Sequence, residues 1–388
     1  MRTNRIIAII SATAVLPMTM LISGASASDA FTAAAELTRS AAYLSAGVPV
    51  ISQQTDIPEA PAPPIEEIAP PATTTAATAP LPDETIEPQP PEDTPEESAA
   101  RVITLNVIPF DDGLDYTAEG QHSGTILRKT YGNSESSEYI TLASGAQVRN
   151  CTYDSSEALL STASQLPEFT IELNSPEPQV LIVHTHATES FEPYQRSYYD
   201  AEFPSRSQDP SHNMIAVGEA LAETLAENGI SVVHDGTLHD FPAYTGSYDR
   251  SEETIRDILG KYPSIKIVID LHRDAIADTD GTRIAPVAEI NGKSAAQLMI
   301  IAGCDDGRFN MPNYMENFKL AALLQNSAET LYPTLARPVL FDYRNYNQHI
   351  TTGSLLIEIG SHANSLDEAL YTAELLGESM AAALALLA

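Results

Sequence analysis

The chain has 388 residues, with 53 Asp and Glu against 20 Lys and Arg, and a formal net charge of −33. A surface that acidic repels phosphate backbones, which argues against a nucleic-acid partner. Tryptophan is absent, so the core must be aliphatic. The two cysteines, Cys151 and Cys304, are too few for a disulfide framework or a cysteine zinc site and leave either one bridge or ordinary thiols.

The N-terminus reads MRTNRIIAIISATAVLPMTMLISGASASDA. Arg2 and Arg5 flank an apolar run from Ile6 to about Ser23, and Ala25-Ser26-Ala27 has the small-x-small form of a cleavage site. The run is also just long enough to span a bilayer. Residues 1–27 are therefore expected to be a signal peptide or a membrane anchor, and both send the rest of the chain to the extracytoplasmic side. Residues 28–100 open with an alanine-rich stretch and continue into IPEAPAPPIEEIAPPATTTAATAPLPDETIEPQPPEDTPEESA. Proline, threonine and acid cannot offset the entropy of ordering, so this segment is predicted to be a disordered spacer holding the following domain off the membrane.

Residues 101–145 begin with the strand-like RVITLNVIPF and then turn polar and weakly patterned, the texture of an accessory region. The catalytic domain is expected over 146–388. SSEALLSTASQL is a helix with a serine start. QVLIV (179–183) is a short buried strand, and NMIAVGEALAETLAENG (213–229) is a helix stopped by Gly229. ISVVHDG (230–236), IKIVIDLH (265–272), AQLMIIAGC (296–304) and SLLIEIG (354–360) read as strands. SEETIRDILGKYP, a segment from about Asn313 to Leu331, and the stretch from Leu366 to the end read as helices. Alternating strands and helices predict an α/β fold, a mostly parallel sheet flanked by helices on both faces.

In such sheets sites form beyond the carboxyl ends of the strands. QVLIV runs into His184-Thr185-His186 with Glu189 close behind. IKIVID runs into Leu271-His272-Arg273, and Glu358 sits within the apolar string LLIEI. A catalytic zinc takes three His, Asp or Glu ligands and keeps a fourth position for water. A histidine after the first strand, Glu189 and His272 supply such a set, and Glu358 supplies the general base that the water needs. An unpaired carboxylate among aliphatic residues is otherwise costly to bury. Side chains at i and i+2 share one face of a strand, so His184 and His186 both qualify, and Glu192 is an alternative to Glu189. Asp270 and Arg273 either pair with each other or orient an imidazole. His212, His234, His239, His349 and His362 read as surface or hydrogen-bonding histidines. No G-x-S-x-G elbow is present.

The blocks QVLIVHTHATESF, VVHDGTLHDFPAYTGSYDRSEETI, IVIDLHRDA, MPNYMENFKLA and YNQHITTGSLLIEIGSHANSLDEA, in this order, resemble the stage II sporulation protein P family from about Ala146 to the C-terminus. The resemblance implies a zinc-dependent N-acetylmuramoyl-L-alanine amidase of endospore-forming bacteria, with the fold of bacterial cell-wall zinc amidases and an added endopeptidase activity on peptide cross-links. It implies peptidoglycan as substrate, stage II sporulation proteins D and M as partners at the septal and engulfing membranes, and Zn2+ as cofactor. By position it assigns zinc binding to His184 or His186, Glu189 and His272, the acid/base role to Glu358, and substrate contacts to Arg273, Tyr244 and Tyr248. After IEIGS the family usually shows Asn-x-Asn, whereas this chain has His362-Ala363-Asn364. A non-catalytic, membrane-tethered scaffold that recruits other wall hydrolases suits the tether and spacer equally.

Overall fold

The computed structural model describes residues 100–388, so the expectations for residues 1–27 and for nearly all of 28–100 fall outside the described residues. In chain order the elements are β1 (Val102–Leu105), β2 (Gly124–Lys129), β3 (Tyr139–Thr141), β4 (Gln147–Asn150), α1 (Ser156–Ala163), β5 (Val180–Val183), β6 (Tyr198–Tyr199), α2 (Met214–Glu227), β7 (Val232–Asp235), α3 (Ser247–Lys261), β8 (Ile267–Asp274), β9 (Arg283–Ile290), β10 (Lys293–Ala296), β11 (Leu298–Gly303), α4 (Tyr314–Leu331), β12 (Val339–Asp342), β13 (Ser354–Ser361) and α5 (Leu366–Leu384). Nine strands form one sheet in the order β1-β7-β5-β8-β13-β11-β12-β4-β3. Six of its eight pairings are parallel; β13 with β11 and β4 with β3 are antiparallel. The expected α/β architecture is present, and the sheet is mixed.

Period-2 alternation divides each central strand between two cores. Val180, Ile182, Val232, Ile267, Ile269, Leu355 and Ile357 face α2, α4 and α5. Leu181, Val183, Val233 and Val268 face the other way, against Ile255 and Ile258 of α3. Helices thus cover both faces, as expected for strands apolar throughout. Burying each of these isoleucines contributes roughly 1.5–3 kcal/mol.

The helix ends follow their caps. The Ser155 hydroxyl accepts from Ala158 N, and Ser365 with Glu368 forms a reciprocal capping box. The segment Leu366–Leu387 is long and apolar enough to cross a bilayer, but most of its apolar window is buried, and α5 packs in the core with α2 and α4.

A second sheet, β10-β9-β2-β6, was not foreseen. Its β9–β10 hairpin turns at Asn291-Gly292, both with positive φ, the strongest short hairpin signal a sequence carries. Residues 101–145 supply β1 and β3, the two edges of the main sheet, and β2 of the second. Cys151 and Cys304 are free thiols, Cys304 buried.

Candidate metal centre at the strand ends

Side-chain parity sorts the candidate residues. On β8, Asp270 and His272 follow Val268 onto the face covered by α3, and on β13 Glu358 lies opposite His272. His184 follows Ile182 onto the other face, beneath α2. There its Nδ1 is 2.9 Å from Leu271 O and its Nε2 is 3.0 Å from His234 Nε2. A carbonyl only accepts, so His184 carries its proton on Nδ1 and receives the Nε2–H of His234. Both ring nitrogens of His184 are occupied, which removes it from the expected ligand set. Burial keeps the pair neutral, lowering His184 to about 4 and His234 well below the ordinary imidazole value.

His186 does not share that face, against the expectation for i, i+2 residues, because β5 ends at Val183. The chain turns at once, and Glu189 N–H donates to His186 O at 3.2 Å. Asp240 pins this turn: it accepts from Thr188 N at 3.3 Å, Thr188 Oγ1 at 2.6 Å and Arg206 Nη1 at 2.6 Å. The reversal brings the His186 ring edge-on to His272, with centroids 5.3 Å apart. Tyr244 stacks on His186 at 4.5 Å and Tyr248 meets it edge-on at 5.6 Å, so both tyrosines lie against the His186 ring. Tyr244 is 41% exposed and forms the rim.

Glu189 lies between the imidazole and two arginines. Its Oε2 accepts from Arg273 N at 3.2 Å and is 3.6 Å from His272 Nδ1, while Oε1 is 3.4 Å from Arg206 Nη2. On the other side of the ring, His272 Nε2 is 2.8 Å from Asp270 Oδ1. Asp270 is held by Thr185 N at 2.8 Å and Thr185 Oγ1 at 2.7 Å. Burial alone would deprotonate His272, but the Asp270 and Glu189 carboxylates outweigh it and hold the imidazole well above its ordinary value. Burial also opposes ionisation of Glu189, yet Arg273 and His272 keep it well below the carboxylate range. Burial, reinforced by the Asp274 charge, pushes Glu358 up to about 8.

Other expectations resolve on partners far away in sequence. Glu192 is spent on Arg196 and on Arg283 at 3.4 Å, so it does not replace Glu189. Arg273 is not free to bind substrate. It is buried and donates to Ser190 O at 2.9 Å and Ser205 O at 2.7 Å, clamping the segment after Glu189 to the end of β8. Asp270 and Arg273 do not pair with each other, their partners being separate. His239 hydrogen-bonds the His184 carbonyl at 3.0 Å. His362 is partly buried, and its Nδ1 has no partner. The reading of the sequence missed Asp240 and Arg206, whose spacing from the HTH block carries no local signal.

A divalent cation fits this arrangement by the chemistry of the donors. His186 Nδ1 and Glu358 Oε2 are buried with no hydrogen-bond partner, and two carboxylates demand positive charge at His272. His186, Glu189 and His272 would hold the ion, with Asp270 behind His272 and Asp240 4.0 Å from His186 Nδ1. Their donor atoms are not drawn together tightly. Among the described residues, the trio with all donor atoms within 4.8 Å of one another is Asp111, Asp112 and Asp209, at least partly exposed.

The described residues thus form an α/β domain with a histidine–carboxylate cluster where its parallel strands end. The family model described as Stage II sporulation protein P matches residues 114–381, and the chain belongs to that family. Stage II sporulation protein P of Bacillus subtilis (strain 168) is 31% identical over 202 residues, 49% of this chain and 47% of that protein. The chain therefore spans about half the length of the curated relative it matches. Among solved structures, the N-acetylmuramoyl-L-alanine amidase AmiC2 of Nostoc punctiforme aligns with a TM-score of 0.32 and 14% identity, over 54% of this chain and 95% of that one. The CwlD amidase from Clostridioides difficile, in complex with the GerS lipoprotein, aligns with a TM-score of 0.34 and 13% identity, over 53% and 94%.

Proposed function

We propose that this chain is a zinc-dependent hydrolase of sporulation that cleaves peptidoglycan at the amide between N-acetylmuramic acid and L-alanine of the stem peptide, with peptide cross-links as a second amide target. The observation that carries the reading is the pairing of Glu358 with His272 across two strands, within a cleft that His186 and Glu189 complete. Membership of the stage II sporulation protein P family supports the biological setting. The N-terminal apolar run would place the enzyme on the extracytoplasmic side of the septal membrane, where stage II sporulation proteins D and M are the proposed partners.

When bound, zinc supplies Lewis-acid polarisation of the substrate carbonyl and a water of lowered pKa. His186, Glu189 and His272 would hold the ion, and Asp270 fixes the orientation of the His272 ring. Glu358 takes the proton of the attacking water on Oε2 and passes it to the leaving amine. Its partnerless oxygen leaves that position open to the proton. Tyr244 and Tyr248 wall the cleft against bulk water on the His186 side.

The test is digestion of purified sacculi with and without a chelator, then zinc re-addition, with mass spectrometry of the released fragments. Stem peptides with a free L-alanine amine are expected, lost with chelator and restored by zinc. Sacculi left intact by the zinc-loaded chain would overturn the hydrolase reading and favour a scaffold.

A further inference from the structure

Arg337 stands outside the machinery described above. Its backbone is fixed at the amino end of β11, with Arg337 N donating to Leu298 O at 2.8 Å and Gln325 Nε2 donating to Arg337 O at 2.9 Å. Because β11 runs antiparallel to β13, Met299 lies opposite Glu358 and Leu298 opposite Ile359. Arg337 is therefore anchored beside the strand end that carries Glu358. Its Nη1 donates to Asp274 Oδ2 at 2.9 Å. Asp274 lies two residues beyond His272 on β8, on the same face. Arg337 thus reaches Asp274 from beside the strand that carries Glu358.

Arg337 is only 6% exposed, yet Nε and Nη2 have no hydrogen-bond partner. An unmade donor on a buried charged group carries an uncompensated desolvation cost. The two unmade donors form one edge of the guanidinium, where the Nε–H and an Nη2–H point in parallel. That edge matches the two oxygens of a carboxylate, which a lone water cannot do. Asp274 keeps 27% of its side chain exposed, so the pair reaches solvent on the Asp274 side. The chain carries a formal charge of −33, so a cationic fork with unmade donors beside the general base is a specific exception to its acidity.

We propose that Arg337 forms a carboxylate subsite, which takes a substrate peptide bearing a free carboxylate within a residue or two of the cleaved amide. This inference rests on the reading of the substrate as a wall peptide. The guanidinium edge grips the carboxylate in two parallel hydrogen bonds, and Asp274 keeps the fork oriented.

The test is equilibrium binding of N-acetyl-Ala-D-Glu-amide and its neutral counterpart N-acetyl-Ala-D-Gln-amide to the zinc-loaded full chain. The acid is expected to bind about tenfold more tightly, the scale of one charge-assisted pair. Arg337→Gln is expected to erase that discrimination while leaving the Kd of the neutral peptide unchanged. Arg337→Lys, which keeps the charge and loses the fork, is expected to retain only part of it, and it serves where Arg337→Gln does not fold. Equal binding of the two peptides by the wild-type chain, or full discrimination in Arg337→Lys, would overturn the subsite. Binding needs no turnover, so discrimination alongside intact sacculi would sink the hydrolase reading and leave this one standing.

Discussion

His272 and Glu358 face each other as register partners on the adjacent parallel strands β8 and β13. One is an imidazole flanked by two carboxylates, the other a carboxyl with an oxygen that nothing satisfies. Both sit on rigid strands rather than loops, so their separation is set by the sheet spacing of about 4.7–4.9 Å. His186 and Glu189 come from a turn, which Asp240 and Arg273 have to hold in place.

Replacing Glu358 by Gln keeps the shape and removes the proton acceptor. Turnover on sacculi is expected to fall by about 10²–10⁴-fold, with zinc content unchanged by elemental analysis. Wild-type rates in the variant would reassign the base.

The two histidines of the HTH block should part company. His186→Ala is expected to lose zinc and keep its melting temperature within a few degrees. His184→Ala is expected to keep the metal-binding residues but lose about 2–4 kcal/mol of stability, because it opens a cavity and strands the His234 Nε2–H. Zinc titration and urea unfolding on both variants decide this, and the reverse pattern would restore His184 as the ligand.

Zinc affinity should depend on pH with a definite sign. His272 is held well above the ordinary imidazole value, so its proton competes with a cation throughout the weakly acidic range. The apparent zinc Kd is expected to weaken by about tenfold for each unit that pH falls below neutrality. Competition against a chromophoric chelator measures it. A Kd flat between about pH 5 and 7 would contradict the His272 assignment.

Gly218 of α2 packs directly on the buried histidine pair. A Cβ there would lie 2.5 Å from both His184 Nε2 and His234 Nε2. Alanine favours a helix over glycine by up to about 1 kcal/mol, but the overlap costs about 1–3 kcal/mol. Gly218→Ala is therefore expected to lower the melting temperature, and a rise would show that the pair has room to move.

The same pair sets a stability trend. The folded state lowers His184 from 6.5 to about 4, so between those values the unfolded chain binds a proton that the folded chain refuses. Stability is complete above about pH 6.5 and is lost as pH falls toward 4, by up to about 3 kcal/mol for His184. Urea midpoints at pH 7 and 4.5 should show a smaller drop in His184→Asn than in the wild type.

Much of this site was legible because strands end where their apolar runs end. The order of residues in IVIDLH is enough to place Asp270 and His272 one face-step apart, and LLIEI sets Glu358 among aliphatic residues. The Asn291-Gly292 turn was legible too and went unread, and with it the second sheet. The edge strands β3 and β6 had no comparable signal, being two or three residues long.

The sequence alone determined the alternation of strands and helices and the set of residue types at the strand ends, since both follow from local periodicity. Only the tertiary structure set His186 rather than His184, and Glu189 rather than Glu192, beside His272. Alternation of side chains holds within a strand and lapses where the strand stops, so a turn beginning at Thr185 reversed the expected face. Glu192 was removed by Arg196 and Arg283, and Glu189 was anchored by the backbone of Arg273, 84 residues away. Partnerships at that range are fixed by the packing of the whole sheet, which no short window of sequence contains.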